Sequence, residues 1–339
     1  LRFVTAPALS ARPATGFPET WPAFRIPLSR GPLALHHLPV VFLLGKGDAA
    51  MLLFDAFERY KTRKLLGAAA NTEGKFRRAI VALGLVVGRL PTVDDLTDDN
   101  VSDVVASVIR KGRTAYTAND YRSKLVALWT FCAKRGWTKT FPDVEEAPVE
   151  HANPVAWTRD ELARVIAATA HARQPICGVP GAVWFRALLL VLWDTGERIG
   201  AILKTEAAQL AGNSLTVIAA HRKGKTRDMV YTLHPDTVAA LAAIRAIYTG
   251  PMLFPRDCSA ETVANRWRSC LKREGLPSDR KHLFHCMRRS VASHAAAAGG
   301  NATSLLDHSS AATTRESYID RRIAPQPRAI DVLFRPDAA

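Results

Sequence analysis

The chain is poor in the features that define several large classes of protein. Its five cysteines (132, 177, 258, 270 and 286) are odd in number and form no CxxC pair. This argues against a disulfide framework and a zinc site, and fits a reducing cytosol. No apolar run reaches the roughly 18 residues of a membrane span. LPVVFLL at 38–44 is short and interrupted by Pro39, and it lacks the basic start and cleavage site of a secretory leader. Internal repeats, a phosphate-cradling Gly-rich loop and a carboxylate metal cluster are also missing. Acidic charge is the other shortage: 46 Lys and Arg outweigh 31 Asp and Glu, for a formal net charge of +15. Such an excess fits a polyanionic partner. Residues 1–150 hold 21 basic against 15 acidic residues (21 − 15 = +6), and the remainder 25 against 16 (25 − 16 = +9). The charge thus belongs to two folded halves and not to a basic tail.

With 339 residues the chain is long enough for two domains. Residues 1–47 are rich in proline without a sustained period, and are expected to form a poorly ordered extension; Met51 is a conceivable alternative start. From 48 to 140 the pattern is helical. AAMLLFDAFERYKTRKL and TEGKFRRAIVALGLVVGRL repeat apolar residues at i, i+3 and i+4 with basic residues between them. PTVDDLTDDNVSDVVASVIRKG has an acidic helix start and a basic end, and TANDYRSKLVALWTFCAKRGW runs to Gly136. An all-α unit of four or five helices is predicted. Residues 141–156, with three prolines and four acids, read as a linker.

The second unit, 157–322, opens on TRDEL, where Thr158 and Glu161 make a capping box. Helices are predicted at 158–170, 180–194, 235–248, 259–274, 285–298 and 309–318, with strands at 214–220 and 228–233. The fold class is therefore mainly α, with one small antiparallel sheet in the second unit. Residues 323–339 form a tail.

Four stretches could carry chemistry. VLWDTGERIGAIL (191–203) ends an apolar helix at Gly196 and sets Arg198 just beyond it. An exposed helix cap is the plain reading of that stretch. HRKGKTR (221–227) is either a solvated hairpin tip or a cationic finger for a nucleic-acid groove. HCMRRSVASH (285–294) puts His285 and Arg288 on one helix face, an arrangement that also suits a surface helix with scattered basic residues. LLDHSSAATTRESYID (305–320) carries His308 and Tyr318, and a lone tyrosine is usually a packed ring.

The order of these stretches resembles the tyrosine recombinase, or phage integrase, family over roughly residues 50–322. DTGERIGAIL is similar to its first-arginine box, RKGKTRDMVYTL to its hairpin-lysine box, HCMRRSVASHAAAAGG to its HxxR helix, and LLDHSSAATTRESYI to its closing His…Tyr segment. The resemblance implies a SAM-like helical core-binding domain, followed by a catalytic domain of the DNA breaking-rejoining enzyme fold. It implies Tyr318 as nucleophile, forming a 3′-phosphotyrosyl intermediate, with Arg198 and Arg288 on the phosphate. Lys223 would be the general acid with Lys225 as runner-up, His285 would take the tyrosine proton, and His308 would hydrogen-bond the phosphate. No metal, ATP or other cofactor is implied. The implied partners are double-stranded DNA and three further copies of the chain on paired sites. Arg222, Lys225 and Arg227 of the hairpin, and Arg77, Arg78, Lys111, Arg113, Arg122 and Lys124 of the first unit, are the candidate DNA contacts.

The sequence departs from the family at Ala201, where an acidic residue usually braces the first arginine, and at Arg289, where many members have a second histidine. Asp194 or Glu197 is the expected substitute brace. A type IB topoisomerase would share the chemistry, and a non-catalytic DNA-binding relative would share the fold. A cytoplasmic location on DNA is expected for all three.

Overall fold

The computed structural model describes residues 50–325 apart from 69, 151, 225 and 226. The expected extension at 1–47 and most of the tail at 323–339 lie outside the described residues. The chain divides into two compact units, Leu1–Val149 and Glu150–Ala339.

The first unit contains α1 (Leu53–Lys64), α2 (Ala70–Val87), α3 (Asp98–Arg110) and α4 (Ala115–Ala133). Helix α3 shows why they form. The Thr97 hydroxyl accepts the Asn100 N–H, Asp98 and Asp99 occupy the first turn, and Arg110 occupies the last. Val101, Val104, Val105 and Val108 are buried on one stripe and share a core with Phe57, Phe76, Ile80, Leu125, Leu128 and Trp129. Each such burial contributes roughly 1.5–3 kcal/mol.

The segment read as a linker makes contacts with α4. Val144 is buried in the first core, and Arg122 Nε donates to its carbonyl at 2.8 Å. Asn119 exchanges two hydrogen bonds with the Ala147 backbone, at 2.8 and 2.9 Å. Trp157, at the far end, is 1% exposed in the core of the second unit. An irregular proline-rich segment cannot satisfy its own backbone groups, so side chains of α4 satisfy some of them.

The second unit begins with α5 (Arg159–Ala167), capped by Thr158 and Glu161 as the sequence predicts, and α6 (Gly181–Thr195). Trp184, Phe185, Leu188, Leu189, Val191 and Leu192 bury α6 almost all round, and Phe185 stacks on Trp267 at 5.6 Å. The short α7 (Ile199–Ile202) follows. Strands β1 (Leu210–Ala211), β2 (Ser214–Val217) and β3 (Met229–Thr232) form an antiparallel sheet in that order, with Leu215 opposite Tyr231. The strands are shorter than predicted because Ala219–His221 coils into a 3-10 turn leading to the basic loop. Helices α8 (Pro235–Arg245), α9 (Ala260–Arg273), α10 (Phe284–Ala297), α11 (Ala302–Leu305) and α12 (Ala311–Ser317) complete the unit. Strand β1 and helices α7 and α11 were not predicted, being too short to leave a period.

Candidate active site

Gly196 ends α6 in the left-handed region (φ 61°), its N–H bonded to the Leu192 carbonyl at 2.9 Å. A Cβ there would meet Leu306 Cδ2 at 2.9 Å and Val291 Cγ1 at 3.1 Å. Backbone conformation and close packing therefore both require glycine. The cap also serves the site, because the Gly196 carbonyl accepts from Arg288 Nη1 at 2.6 Å. Two residues on, the half-buried Arg198 opens α7.

The expected brace of the Arg198 guanidinium is absent from both candidates. Asp194 accepts the His234 backbone N–H at 2.9 Å. Glu197 Oε2 accepts the backbone N–H of Arg198 at 3.1 Å, while Oε1 takes Arg222 Nε at 2.5 Å and the Tyr231 hydroxyl at 2.8 Å. A carboxylate 2% exposed needs a full set of donors, and Arg222 supplies the charge. Glu197 therefore fixes the backbone of Arg198, and among the described residues the guanidinium has no hydrogen bond or ion pair. Ala201 is itself buried.

Arg288 projects from α10 into the interior, 2% exposed. Besides Gly196, it donates through Nη2 to the Leu306 carbonyl at 2.8 Å and to His308 Nε2 at 2.9 Å. Glu197 Oε2 lies 3.9 Å from Nη1. A guanidinium only donates, so His308 Nε2 must accept, and the proton sits on Nδ1. Nδ1 then donates to Thr314 Oγ1 at 2.9 Å, and that hydroxyl donates onward to the Ser310 carbonyl at 3.3 Å. Burial, then the charges of Arg288 and Arg198, push His308 down to about 4, which agrees with the neutral tautomer.

His285 lies one turn before Arg288 and is exposed. Loss of solvent around the ring, then the positive charges of Arg289, Arg288 and Arg198, push it down to about 4. Tyr318 follows α12 and is 7% exposed, in a small cluster with Ala292, Ala302 and Leu306. Its ring centre is 4.4 Å from that of His308 and 5.3 Å from that of His285, and the Arg288 guanidinium is 5.5 Å away. Ser293 of α10 fixes its backbone, donating to the Tyr318 carbonyl at 3.1 Å and accepting the Asp320 N–H at 2.9 Å. The cluster combines a phenol, two neutral imidazoles and a buried guanidinium, with a second guanidinium close enough to depress both imidazoles.

The remaining candidates lie elsewhere. Lys223 is exposed on the basic turn, with no hydrogen bond or ion pair among the described residues; Lys225 lies outside them. Arg222, expected to meet DNA, is instead 6% exposed, drawn inward by two carboxylates. Its partners are Glu197, Asp307 at 2.7 Å and the Arg227 carbonyl at 2.9 Å. Arg227 is exposed and pairs with Asp307 at 2.6 Å. In the first unit Arg77 pairs with Glu58, Lys124 with Asp120, and Arg122 holds the linker segment. Arg78, Lys111 and Arg113 are exposed, without a side-chain hydrogen bond or ion pair among the described residues. Asp307, Thr314, Ser293 and Tyr231 escaped the sequence reading. Asp307 alone left a trace, as an acid beside His308.

Among the described residues no group of three or more His, Cys, Asp or Glu side chains could hold a metal ion, and no helix is long and apolar enough to cross a membrane.

No family model and no curated protein matches the chain. Solved structures do match. A lambda integrase fragment, solved as a dimer bound to a COC′ core site, has a TM-score of 0.64 at 21% identity, over 84% of this chain and all of that one. The Tn1549 transposon integrase, in complex with circular intermediate DNA, has a TM-score of 0.63 at 14% identity, over 83% of this chain and 98% of that one. The XerH site-specific recombinase, in a post-cleavage complex with a palindromic difH substrate, has a TM-score of 0.57 at 16% identity, over 80% of this chain and 81% of that one. A mainly helical chain with this three-stranded antiparallel sheet has the fold of the tyrosine recombinases.

Proposed function

We propose that the protein is a site-specific DNA recombinase that breaks and rejoins strands through a 3′-phosphotyrosyl intermediate. The observation that carries this reading is the convergence of Arg288, His285, His308 and Tyr318, from three separate segments, on one cluster. Tyr318 Oη attacks the scissile phosphorus, and its proton passes to His285. The P–O5′ bond breaks, and Lys223 protonates the departing oxygen. Arg198 and Arg288 meet the charge on the non-bridging oxygens. The guanidinium of Arg198 suits this role, since no carboxylate among the described residues competes for it. A bound phosphate would offset the positive charges that depress both imidazoles and raise their basicity when it is needed. His308, held by Thr314 through Nδ1–H, gives up its bond from Arg288 when Nε2 is protonated, and the new N–H donates to the phosphate.

Similarity to DNA-bound integrases supports duplex DNA as the partner, and four copies acting on paired sites in the cytoplasm complete the proposal. The test is a nicked duplex that traps a covalent adduct. The wild type is expected to form the adduct, and Tyr318→Phe to form none; an adduct that survives the substitution refutes the assignment. Relaxation of supercoiled DNA without recombinant product on paired sites would favour a topoisomerase.

A further inference from the structure

The basic turn that carries Lys223 is tied to the turn that carries His308 through one carboxylate. Asp307 Oδ2 accepts from Arg222 Nη1 at 2.7 Å and Oδ1 from Arg227 Nη2 at 2.6 Å. These arginines stand at the two ends of the turn, and Arg222 Nη1 also donates to the Arg227 carbonyl at 2.9 Å, closing the turn on itself. The inner end continues to Glu197, which holds the backbone of Arg198. Asp307 adopts φ 50°, the left-handed region that disfavours a residue with a Cβ. Aspartate is one of the few residues with a side chain that tolerate that region, so the carboxylate is carried on the turn itself. As a source of stability it is a weak choice, because an exposed ion pair such as Arg227–Asp307 contributes little, and desolvating Arg222 offsets much of the attraction in the other. Geometry gives it a different use: Lys223 is one residue from Arg222, and His308 one residue from Asp307.

We propose that Asp307 is a positioning residue for Lys223, clamping Arg222 and Arg227 so that the lysine is aimed at the oxygen leaving the phosphate beside His308. The inference rests on the recombinase reading. In the step concerned, the Tyr318 Oη–P bond forms and the P–O5′ bond breaks. The electron pair leaves on O5′, which takes a proton from Lys223 Nζ. If O5′ is replaced by sulfur, the pair leaves on a thiolate that needs no proton, and a misplaced lysine no longer matters.

The experiment measures adduct formation by wild type and Asp307→Asn on two nicked duplexes, one with the natural bridging oxygen and one with a 5′-bridging sulfur. Asparagine tolerates the left-handed region and removes the charge. On the oxygen substrate the variant is expected to be slower by roughly 10–100-fold, within the range that general-acid catalysis commands. On the sulfur substrate it is expected to match the wild type to within about threefold, a rescue that a merely structural defect would not show. Equal rates on oxygen, or equal slowing on both substrates, would overturn the proposal. Should Asp307→Asn not fold, Arg227→Ala opens the exposed half of the clamp and is judged by the same two ratios. A wild type forming no adduct on either duplex would instead defeat the recombinase reading itself.

Discussion

The cores of the two units are built on different terms. Among the described residues, twelve polar or charged side chains are buried, and only Asp95 belongs to the first unit. That unit is closed by valines, leucines and aromatic rings, and its basic residues stay at or near the surface. The second unit has a larger apolar core around α6, yet it also buries Glu197, Arg222 and Arg288 within one network. Burying charge opposes stability, because each ion must recover its lost hydration from partners. The first unit buries one such ion, Asp95, which Arg89 pairs at 2.6 Å; the rest of its core is apolar. In the second, Arg288 and Tyr318 are desolvated and oriented by the fold, as the proposed reaction would use them.

The contrast can be broken most sharply at Arg288. Arg288→Ala is expected to slow adduct formation by roughly 10³-fold, about 4 kcal/mol, through loss of a preorganised donor to the transition state. Single-turnover assays on a nicked duplex measure it; a loss under tenfold would mean that the buried charge is structural. The reverse case is Leu128→Ala in the first core, which should cost about 3 kcal/mol of stability by leaving a cavity. Urea unfolding reads that loss, while the adduct rate of the DNA-bound folded fraction should stay within about twofold. A large change in that rate would show that the first core also tunes the chemistry.

A smaller effect concerns pH. The folded pKa of His308, about 4, lies below the unfolded value of about 6.5. Between these values the unfolded chain binds more protons, so stability falls as pH drops from about 6.5 towards 4 and levels off below. Because His308 is only partly buried, the loss on going from pH 7 to pH 5 should be on the order of 1 kcal/mol. Urea midpoints should show His308→Gln losing less than the wild type over that interval. Equal losses would remove His308 from the acid sensitivity of the second unit.

Long amphipathic patterns made most of the architecture legible. The four helices of the first unit left their patterns, α6 showed as an apolar run, and the Thr158 capping box marked the start of α5. The order of Arg198, Lys223, His285–Arg288 and His308–Tyr318 likewise pointed to the candidate site. What stayed hidden were contacts between segments far apart in the chain. Asp307 and Arg222 are separated by 85 positions, and no local pattern distinguishes a buried arginine from one exposed to DNA.

The sequence by itself determined the two-unit helical plan, the positive charge and the identity of the candidate groups, because helix periods and residue chemistry are local properties. Tertiary structure alone decided that Glu197 holds the backbone of Arg198 and not its guanidinium. It also decided that Arg222 turns inward and that His308 is protonated on Nδ1. Each of these depends on which donor and acceptor meet after packing has removed water, and desolvation makes one pairing far cheaper than the alternatives.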